Sequence, residues 1–271
     1  MAHNIAITNQ KGGVGKTTTT INLGAALAAA GLRVLLVDLD PQGNTTSGLG
    51  QDKNQLSSSV YDLLIEPSKP DSLVLSTALD CLHLLPANRE LTGATVELLQ
   101  VARRENRLRE ALKPLQSAYD FILVDCPPSL GILTINALVA VESLIIPMQC
   151  EYLALEGLSE LIQTVERVRE SLNPSLHIKG VLLTMYDERL NLNDQIRKNV
   201  KKHLGRRVFR TAIPRNVRLA ESPSFGQPIL LYDPRSKGAE SYLRLSRELL
   251  QRMPPCPKNV RAPVNTLGEN L

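Results

Sequence analysis

The 271-residue sequence contains no tryptophan, and aromatic residues make up only 3% of it. Proteins that bind single-stranded nucleic acid stack bases on aromatic side chains, so this composition argues against that class. The four cysteines are widely spaced and form no Cys-x-x-Cys pair, which argues against a disulfide framework or a zinc site. We find no signal peptide and no apolar run approaching about 18 residues, so we expect a soluble, cytoplasmic protein.

Apolar runs alternate with helix-length amphipathic stretches, which is typical of βαβ units. With 43% hydrophobic residues the chain can bury a full core. We expect a single α/β domain over residues 1–253, with a mainly parallel, twisted β-sheet and helices on both faces, and a disordered tail over 254–271. Strands are predicted at 5–8, 34–37, 82–86, 121–124, 144–147 and 178–183, helices over 16–30, 89–116, 154–172, 193–207 and 237–252, and a mobile loop over 42–59.

A glycine-rich phosphate loop (P-loop) stands between the first predicted strand and helix: residues 10–18 read Gln-Lys-Gly-Gly-Val-Gly-Lys-Thr-Thr. Its glycines let backbone N–H groups approach phosphate oxygens, and the helix N-terminus adds partial positive charge. We expect Lys16 to bind phosphate, Thr17 to ligate Mg²⁺ and Thr18 to touch the α-phosphate. The predicted nucleotide-binding residues of the loop are Lys11, Gly12, Gly13, Val14, Gly15, Lys16, Thr17 and Thr18.

The loop carries a second lysine, Lys11, at its mouth. A P-loop needs one lysine, here Lys16, to hold its own nucleotide. An additional lysine at the mouth suggests contact with a phosphate that another subunit binds. The sequence therefore predicts an ATPase that dimerises around its nucleotide.

Three aspartates end predicted strands. Asp125 follows the apolar run Phe-Ile-Leu-Val, and ligands of open α/β sheets bind outside the carboxyl ends of the strands. We therefore predict that Asp125 holds Mg²⁺ together with Thr17, through a water. Asp40 is the candidate to orient or deprotonate the water that attacks the γ-phosphate, and Asp38 is a further candidate for the metal shell.

The positive charge of the chain is concentrated in its second half. Nine Lys and Arg residues and no Asp or Glu lie between 197 and 218, although the net charge of the whole chain is only +4. Such a stretch indicates a polyanionic partner, and neutralisation of backbone phosphates gives sequence-independent, salt-sensitive binding to DNA.

These residues together resemble the ParA/Soj family of chromosome-partitioning ATPases, which belongs to the deviant Walker A group of P-loop proteins that also includes MinD. The resemblance spans about residues 4–250 and rests on four motifs in order. They are Lys-Gly-Gly-Val-Gly-Lys-Thr-Thr (11–18), Asp-Leu-Asp-Pro-Gln-Gly-Asn (38–44), Val-Asp-Cys-Pro-Pro-Ser (124–129) and Ile-Pro-Arg-Asn-Val-Arg-Leu-Ala-Glu (213–221).

The resemblance implies roles for individual residues. Lys11 matches the signature lysine that crosses the ATP-bound dimer, Asp40 the aspartate needed for hydrolysis, and Asp125 the Walker B carboxylate. Residues Met185, Pro214 and Asn216 lie where the family encloses the adenine. The expected DNA-binding residues are Arg189, Lys198, Lys201, Lys202, Arg206, Arg207 and Arg218, of which Arg189 and Arg218 match DNA-contacting arginines of the family.

The resemblance also implies a cycle of partners. ATP with Mg²⁺ would pair two subunits, and the sandwich dimer would bind double-stranded DNA of the nucleoid without sequence preference. A ParB-type centromere-binding protein would then stimulate hydrolysis and release the dimer. Chromosome and plasmid segregation both remain open as the biological setting.

Two rival interpretations remain at this point. A MinD-like membrane-associated ATPase needs a terminal amphipathic helix, and residues 254–271 have few large apolar residues. An iron–sulfur reductase of the nitrogenase type needs two cysteines per subunit at a cluster that bridges a dimer, for which Cys126 and Cys150 are the candidates. We favour the partitioning ATPase over both, and expect no membrane partner.

Overall fold

The computed structural model describes residues 2–66, 70–151 and 154–253, so the tail predicted over 254–271 lies outside the described residues. Seven strands form one sheet in the order β3-β4-β2-β5-β1-β6-β7, and every neighbouring pair is parallel except β3 with β4. The strands are β1 (His3–Ile7), β2 (Val34–Asp38), β3 (Leu75–Ser76), β4 (Leu82–Leu85), β5 (Phe121–Asp125), β6 (Ser143–Gln149) and β7 (His177–Thr184).

Helices connect the parallel strands and cover the sheet. The helices are α1 (Lys16–Ala29), α2 (Asn44–Gly48), α3 (Val60–Ile65), α4 (Leu91–Glu97), α5 (Arg107–Leu112), α6 (Ile132–Ala140), α7 (Ala154–Ser171), α8 (Asn191–Leu204), α9 (Val217–Glu221), α10 (Ile229–Tyr232) and α11 (Lys237–Gln251). Short 3₁₀ turns join several of them.

Alternate residues of the central strands pack into two separate apolar cores, one on each face of the sheet. In β1, Ile5 and Ile7 pack with buried residues of α1 and α11, whereas Ala6 packs into the core that includes α6 and α7. Because both faces are covered, the central strands are continuously apolar rather than alternating. The predicted fold class, a mainly parallel sheet with helices on both faces, is confirmed.

Each predicted strand and helix overlaps an observed one, but α3, α6, α9, α10 and β3 were not predicted, and two segments differ from their prediction. Helix α2 lies inside the segment 42–59 that was predicted as a mobile loop, and its residues Thr45 and Thr46 are fully buried. The long helical stretch predicted over 89–116 is interrupted, because α4 and α5 are separated by a turn in which Arg103 has a positive φ of 53°.

The carboxyl ends of the central strands place the predicted site residues at one edge. Strand β1 runs into the P-loop between the ends of β5 and β6, and Asp38 is the register partner of Asp125 across β2 and β5. This edge is where parallel α/β sheets bind their ligands.

Candidate functional site

The P-loop has the backbone geometry that phosphate binding requires. Gly13 and Gly15 have φ of 74° and 86°, a left-handed conformation that glycine adopts without strain. A methyl group placed on Gly12 or Gly13 would meet no atom within 4 Å, and both glycines are exposed. Val14 is anchored from β7, where the Thr184 hydroxyl donates to the Val14 carbonyl at 2.8 Å. The loop is therefore a turn that is anchored to β7 and whose glycine backbone is accessible to a ligand.

Lys16 is a buried cation at the base of this loop. Its Nζ donates to the Lys11 carbonyl at 3.1 Å, and only 7% of the residue is exposed. Burial lowers the pKa of the Lys16 amine, and the carboxylate of Asp125 acts in the opposite direction. A buried ammonium group without a hydrogen-bonded carboxylate among the described residues is well suited to an anionic ligand such as a phosphate.

Three threonine hydroxyls surround the carboxylate of Asp125. Thr17 and Thr45 donate to Oδ2 at 2.8 and 2.7 Å, and Thr20 donates to Oδ1 at 3.3 Å. Burial raises the pKa of Asp125 to about 6, while the hydrogen bonds from Thr45 and Thr17 act against that rise. A threonine hydroxyl beside a buried carboxylate is a donor set that fits Mg²⁺, which prefers oxygen ligands and retains several waters. The predicted pair of Thr17 and Asp125 is thus brought together.

Asp38 is a second buried carboxylate next to Asp125. Its Oδ2 accepts from the backbone N–H and the hydroxyl of Thr46, at 2.8 and 2.7 Å. Burial, followed by repulsion from Asp125, raises the pKa of Asp38 to about 7. The Thr46 hydroxyl also accepts from the Ala87 N–H at 2.9 Å, so Asp38 fixes the start of α2 to the rest of the domain.

We predict that Asp38→Asn stabilises the nucleotide-free protein in a pH-dependent way. The pKa of Asp38 is higher in the folded than in the unfolded protein, so its contribution to stability falls as pH rises from about 4 to about 7. Asparagine does not titrate, so the variant should gain about 2 kcal/mol over the wild type at pH 8 and little at pH 4.5. Thermal unfolding in chelator at both pH values measures this difference, and equal melting temperatures at pH 8 would contradict it.

Asp40, which follows strand β2, is a third buried carboxylate and is 7% exposed. Its Oδ1 accepts from the Gln42 N–H at 3.0 Å and its own N–H donates to Asp38 at 3.2 Å, which fixes the turn. Within the described residues Oδ2 has no hydrogen-bond partner. Asp40 also acts electrostatically on both Lys16 and Asp125. A carboxylate oxygen that has no hydrogen-bond partner among the described residues, in a group near enough to act electrostatically on Lys16, can orient a water.

Lys11 does not lie free at the mouth of the loop. Its Nζ forms a hydrogen-bonded ion pair with the carboxylate of Glu151, between β6 and α7, and both side chains are about half exposed. The preceding residue, Gln10, donates to the Gly157 carbonyl at 3.1 Å and to Glu160 at 2.6 Å. The ion pair between Lys11 and Glu151, which are 140 positions apart in the sequence, was not predicted from the sequence.

The three residues expected around the adenine lie near the end of β7. Tyr186 bridges to Pro214, which brings Pro214 beside Met185, and Met185 adopts a positive φ of 49°. The sulfur of Met185 and the carbonyl of Gly13 both contact the amide of Gln149, at 2.8 and 2.9 Å. Asn216 caps α9 by accepting from the Leu219 N–H at 3.2 Å. The structure thus links Met185 to the P-loop and gives Asn216 a role in folding.

The predicted DNA-binding residues divide into two groups. Arg189, Lys198 and Arg218 are paired with acidic neighbours, which the count over 197–218 did not reveal. Arg189 binds Asp187 in a two-pronged contact that lowers the pKa of Asp187 to about 2, and Arg218 contacts both Glu221 and Asp233. The other four residues have no ion-pair partner in the described part of the chain. They are Lys201, Lys202, Arg206 and Arg207.

Three of these four residues, Lys201, Arg206 and Arg207, line an open groove at the β7 edge of the sheet, whereas Lys202 does not line it. The groove has a volume of about 1160 Å³. Its one acidic residue, Glu248, is occupied by the backbone N–H groups of Arg210 and Thr211 and by the side chain of Arg252. The other charged side chains that line the groove are all basic, and they are Lys179, Lys201, Arg206, Arg207, Arg210, Arg244, Arg247 and Arg252.

The two cysteines proposed for an iron–sulfur cluster are buried. Cys126 is fully buried and Cys150 is 6% exposed, and both belong to the core on the α6 and α7 face. Burial raises the pKa of both thiols, whereas cluster ligands must be thiolates. These positions do not fit a cluster shared between subunits. In addition, none of the described helices has the length and apolarity to span a membrane.

Sequence reasoning missed the three threonines that complete the carboxylate network. Thr20 is on α1, one turn after Lys16, and Thr45 and Thr46 are on α2. The only sequence signal was the pair Thr45-Thr46 soon after the aspartate-rich strand end, in a segment that looked like a polar loop. Glu151 and Gln149 were missed as well, because their contacts with the P-loop are made across the sheet.

Curated relatives match this chain over nearly its whole length. A family model described as an AAA domain matches residues 2–178. The sequence is 56% identical over 245 residues to the sporulation initiation inhibitor protein Soj of Bacillus subtilis, covering 90% of this chain and 97% of that protein. It is 52% identical over 250 residues to the chromosome partitioning protein ParA of Caulobacter vibrioides, covering 92% and 94%.

Solved structures with the same fold contain nucleotide and magnesium. Cobyrinic acid a,c-diamide synthase from Mycobacterium smegmatis, with bound ADP and magnesium, has a TM-score of 0.82 and 39% identity, over 93% of this chain and 95% of that one. The septum site-determining protein MinD from Pyrococcus horikoshii, complexed with Mg-ADP, has a TM-score of 0.76 and 28% identity, over 92% and 96%.

Proposed function

Because the chain belongs to the ParA/Soj family of chromosome-partitioning ATPases, we propose that it uses ATP to switch between a monomer and a DNA-binding dimer. The enzyme hydrolyses ATP to ADP and phosphate, with ATP and Mg²⁺ as its ligands. The observation that carries the dimer proposal is the second lysine. Lys16 is buried and sufficient for the bound phosphates, whereas Lys11 reaches the surface at the loop mouth.

The geometry of the site supports the following residue roles in hydrolysis. Lys16 and the loop N–H groups bind the phosphates, and Thr17 with Asp125 holds Mg²⁺, which neutralises phosphate charge when bound. Asp40 orients the attacking water through its unused oxygen. Lys11 crosses to the phosphates of the partner subunit, so each nucleotide is enclosed by two subunits.

Two other activities are less well supported. The Mycobacterium smegmatis structure carries the name of a different enzyme, but its identity of 39% is below the 52–56% of the ParA and Soj relatives. The MinD structure is 28% identical, and the terminal helix that a MinD-like protein needs would fall in residues 254–271, outside the described chain.

The partner of the basic surface is double-stranded DNA, bound through its phosphates. The groove along β7 is lined by cations whose nearby carboxylate, Glu248, is already hydrogen-bonded. Dimerisation doubles this surface, so a monomer of low affinity becomes a dimer of much higher affinity. The dimer would therefore associate with the nucleoid, and a ParB-type protein that stimulates hydrolysis would release it.

We predict that Arg218→Glu weakens DNA binding but leaves ATP-dependent dimerisation intact, although Arg218 does not line the groove along β7. The substitution removes a cation and leaves a carboxylate beside Glu221 and Asp233, so a local anionic cluster repels the phosphates. Affinity should fall at least about tenfold in mobility-shift assays with ATP. Wild-type binding should weaken steeply between about 50 and 200 mM salt.

Arg169→Glu is the matched control, because Arg169 is an exposed arginine on α7, outside the basic surface. It should keep DNA affinity near that of the wild type. If Arg218→Glu loses dimerisation together with DNA binding, Arg218 has a structural role instead. Wild-type affinity that does not change with salt would argue against binding through phosphates.

A further inference from the structure

The cation proposed to reach the partner subunit is neutralised within its own subunit. The Lys11 ammonium is hydrogen-bonded to the Glu151 carboxylate. We infer that Glu151 is a positioning residue that holds Lys11 in the resting monomer and releases it when ATP pairs two subunits. This inference rests on the proposed role of Lys11 in the dimer.

The backbone around Glu151 fixes the carboxylate in place. Its N–H donates to the Gln149 carbonyl at 3.0 Å, and its own carbonyl accepts from the N–H of Ala154, the first residue of α7, at 3.0 Å. The Gln149 side chain in turn donates to the Gly13 carbonyl. Glu151 is therefore presented to the P-loop from a turn that is itself attached to the P-loop.

A second contact joins the same two segments. Gln10, next to Lys11, is hydrogen-bonded to Gly157 and Glu160 in the first turns of α7. Gln10 and Lys11, at the start of the P-loop, thus contact Glu151 and the first turns of α7. The Gln10 contacts do not involve Lys11, so they keep the loop in place when the ion pair opens.

The ion pair biases the equilibrium because it exists in only one of the two states. The Lys11 ammonium cannot bind Glu151 and a phosphate of the partner at full strength, so dimerisation exchanges one anion for the other. Exposed ion pairs contribute little individually. A symmetric dimer breaks two of them, so their effect on the dimerisation constant is doubled in free energy. The Lys11–Glu151 ion pair therefore raises the protein concentration at which ATP-bound subunits dimerise.

The test uses the full-length protein with a non-hydrolysable ATP analogue and Mg²⁺ in sedimentation equilibrium. Glu151→Gln should lower the concentration of half-dimerisation about fivefold. Glu156→Gln is the matched control, since Glu156 is exposed on α7 and has no ion pair in the described part of the chain. It should change that concentration less than about twofold.

A second measurement separates release of Lys11 from a general change of charge. Binding of a fluorescent ATP analogue, measured well below the dimerisation concentration, should change less than about twofold in Glu151→Gln. If tighter nucleotide binding by the monomer accounts for the whole shift in dimerisation, the inference is overturned. Unchanged or weaker dimerisation of Glu151→Gln, with normal dimerisation of the wild type, overturns it as well and leaves the proposed function standing.

The ion pair can also be tested without a dimer. Reductive methylation of the nucleotide-free protein, followed by mass spectrometry, reports how accessible each lysine amine is. Lys11 should react faster in Glu151→Gln than in the wild type, and at the wild-type rate in Glu156→Gln. If the wild type fails to dimerise while this difference is present, the proposed function is wrong and the ion pair is supported. An unchanged rate at Lys11 contradicts the pairing itself.

Discussion

Replacing Asp40 with alanine should lower the rate of ATP hydrolysis about a hundredfold or more, while ATP binding and dimerisation persist. The reason is the position of Asp40. It acts electrostatically on Lys16 and Asp125, and among the described residues it makes no hydrogen bond to either. Loss of its carboxylate removes the group that orients water and leaves the phosphate-binding residues in place. The variant should therefore accumulate in ATP as a dimer bound to DNA.

Steady-state phosphate release measures the rate of hydrolysis, and mobility shifts in ATP measure the accumulation of the DNA-bound dimer. Asp40→Asn is the conservative variant, because its amide oxygen can still accept from Gln42 and keep the turn. Asp52→Ala, an exposed aspartate farther along the same segment, is the control and should hydrolyse ATP normally. An Asp40→Ala protein that stays monomeric in ATP would show that Asp40 has a different role.

The fold and the contact between Thr17 and Asp125 could be predicted because their signals are local. About ten residues of sequence are enough to recognise a strand that ends in a carboxylate, or a strand that is followed by a glycine-rich loop. Parallel strands end at the same edge, so the prediction that Asp125 lies near Thr17 needed only the fold class. The register of Asp38 with Asp125 then follows from the pairing of β2 with β5.

The remaining parts of the site depend on tertiary contacts that have no local pattern. Thr45 and Thr46 are in a polar segment typical of a loop, and they are buried only because Asp38 and Asp125 accept their hydrogen bonds. The basic stretch was counted without Asp194, Glu221 and Asp233, which lie outside it in sequence and form ion pairs with it in the fold. A charge count over a window therefore overstates the number of unpaired cations.

Replacing Lys11 with alanine should prevent ATP-dependent dimerisation while leaving ATP binding by the monomer nearly unchanged. Lys16 is buried beneath the loop and hydrogen-bonded to the backbone carbonyl of Lys11, a contact that alanine retains. A symmetric dimer would lose two contacts between an ammonium group and phosphate. Because breaking a charged contact at an interface costs about 2 kcal/mol or more, dimerisation should weaken at least about a hundredfold.

Sedimentation in ATP analogue and nucleotide binding at low protein concentration separate these effects. Lys53→Ala is the control, since Lys53 is a cation that contacts the Gln42 carbonyl on the adjacent loop and should leave both measurements unchanged. Lys16→Ala should lose nucleotide binding itself. The two lysines thus differ in kind: Lys16 determines whether ATP binds, and Lys11, once released from Glu151, determines whether bound ATP recruits a second subunit. A Lys11→Ala protein that dimerises normally would remove the link between nucleotide and DNA binding.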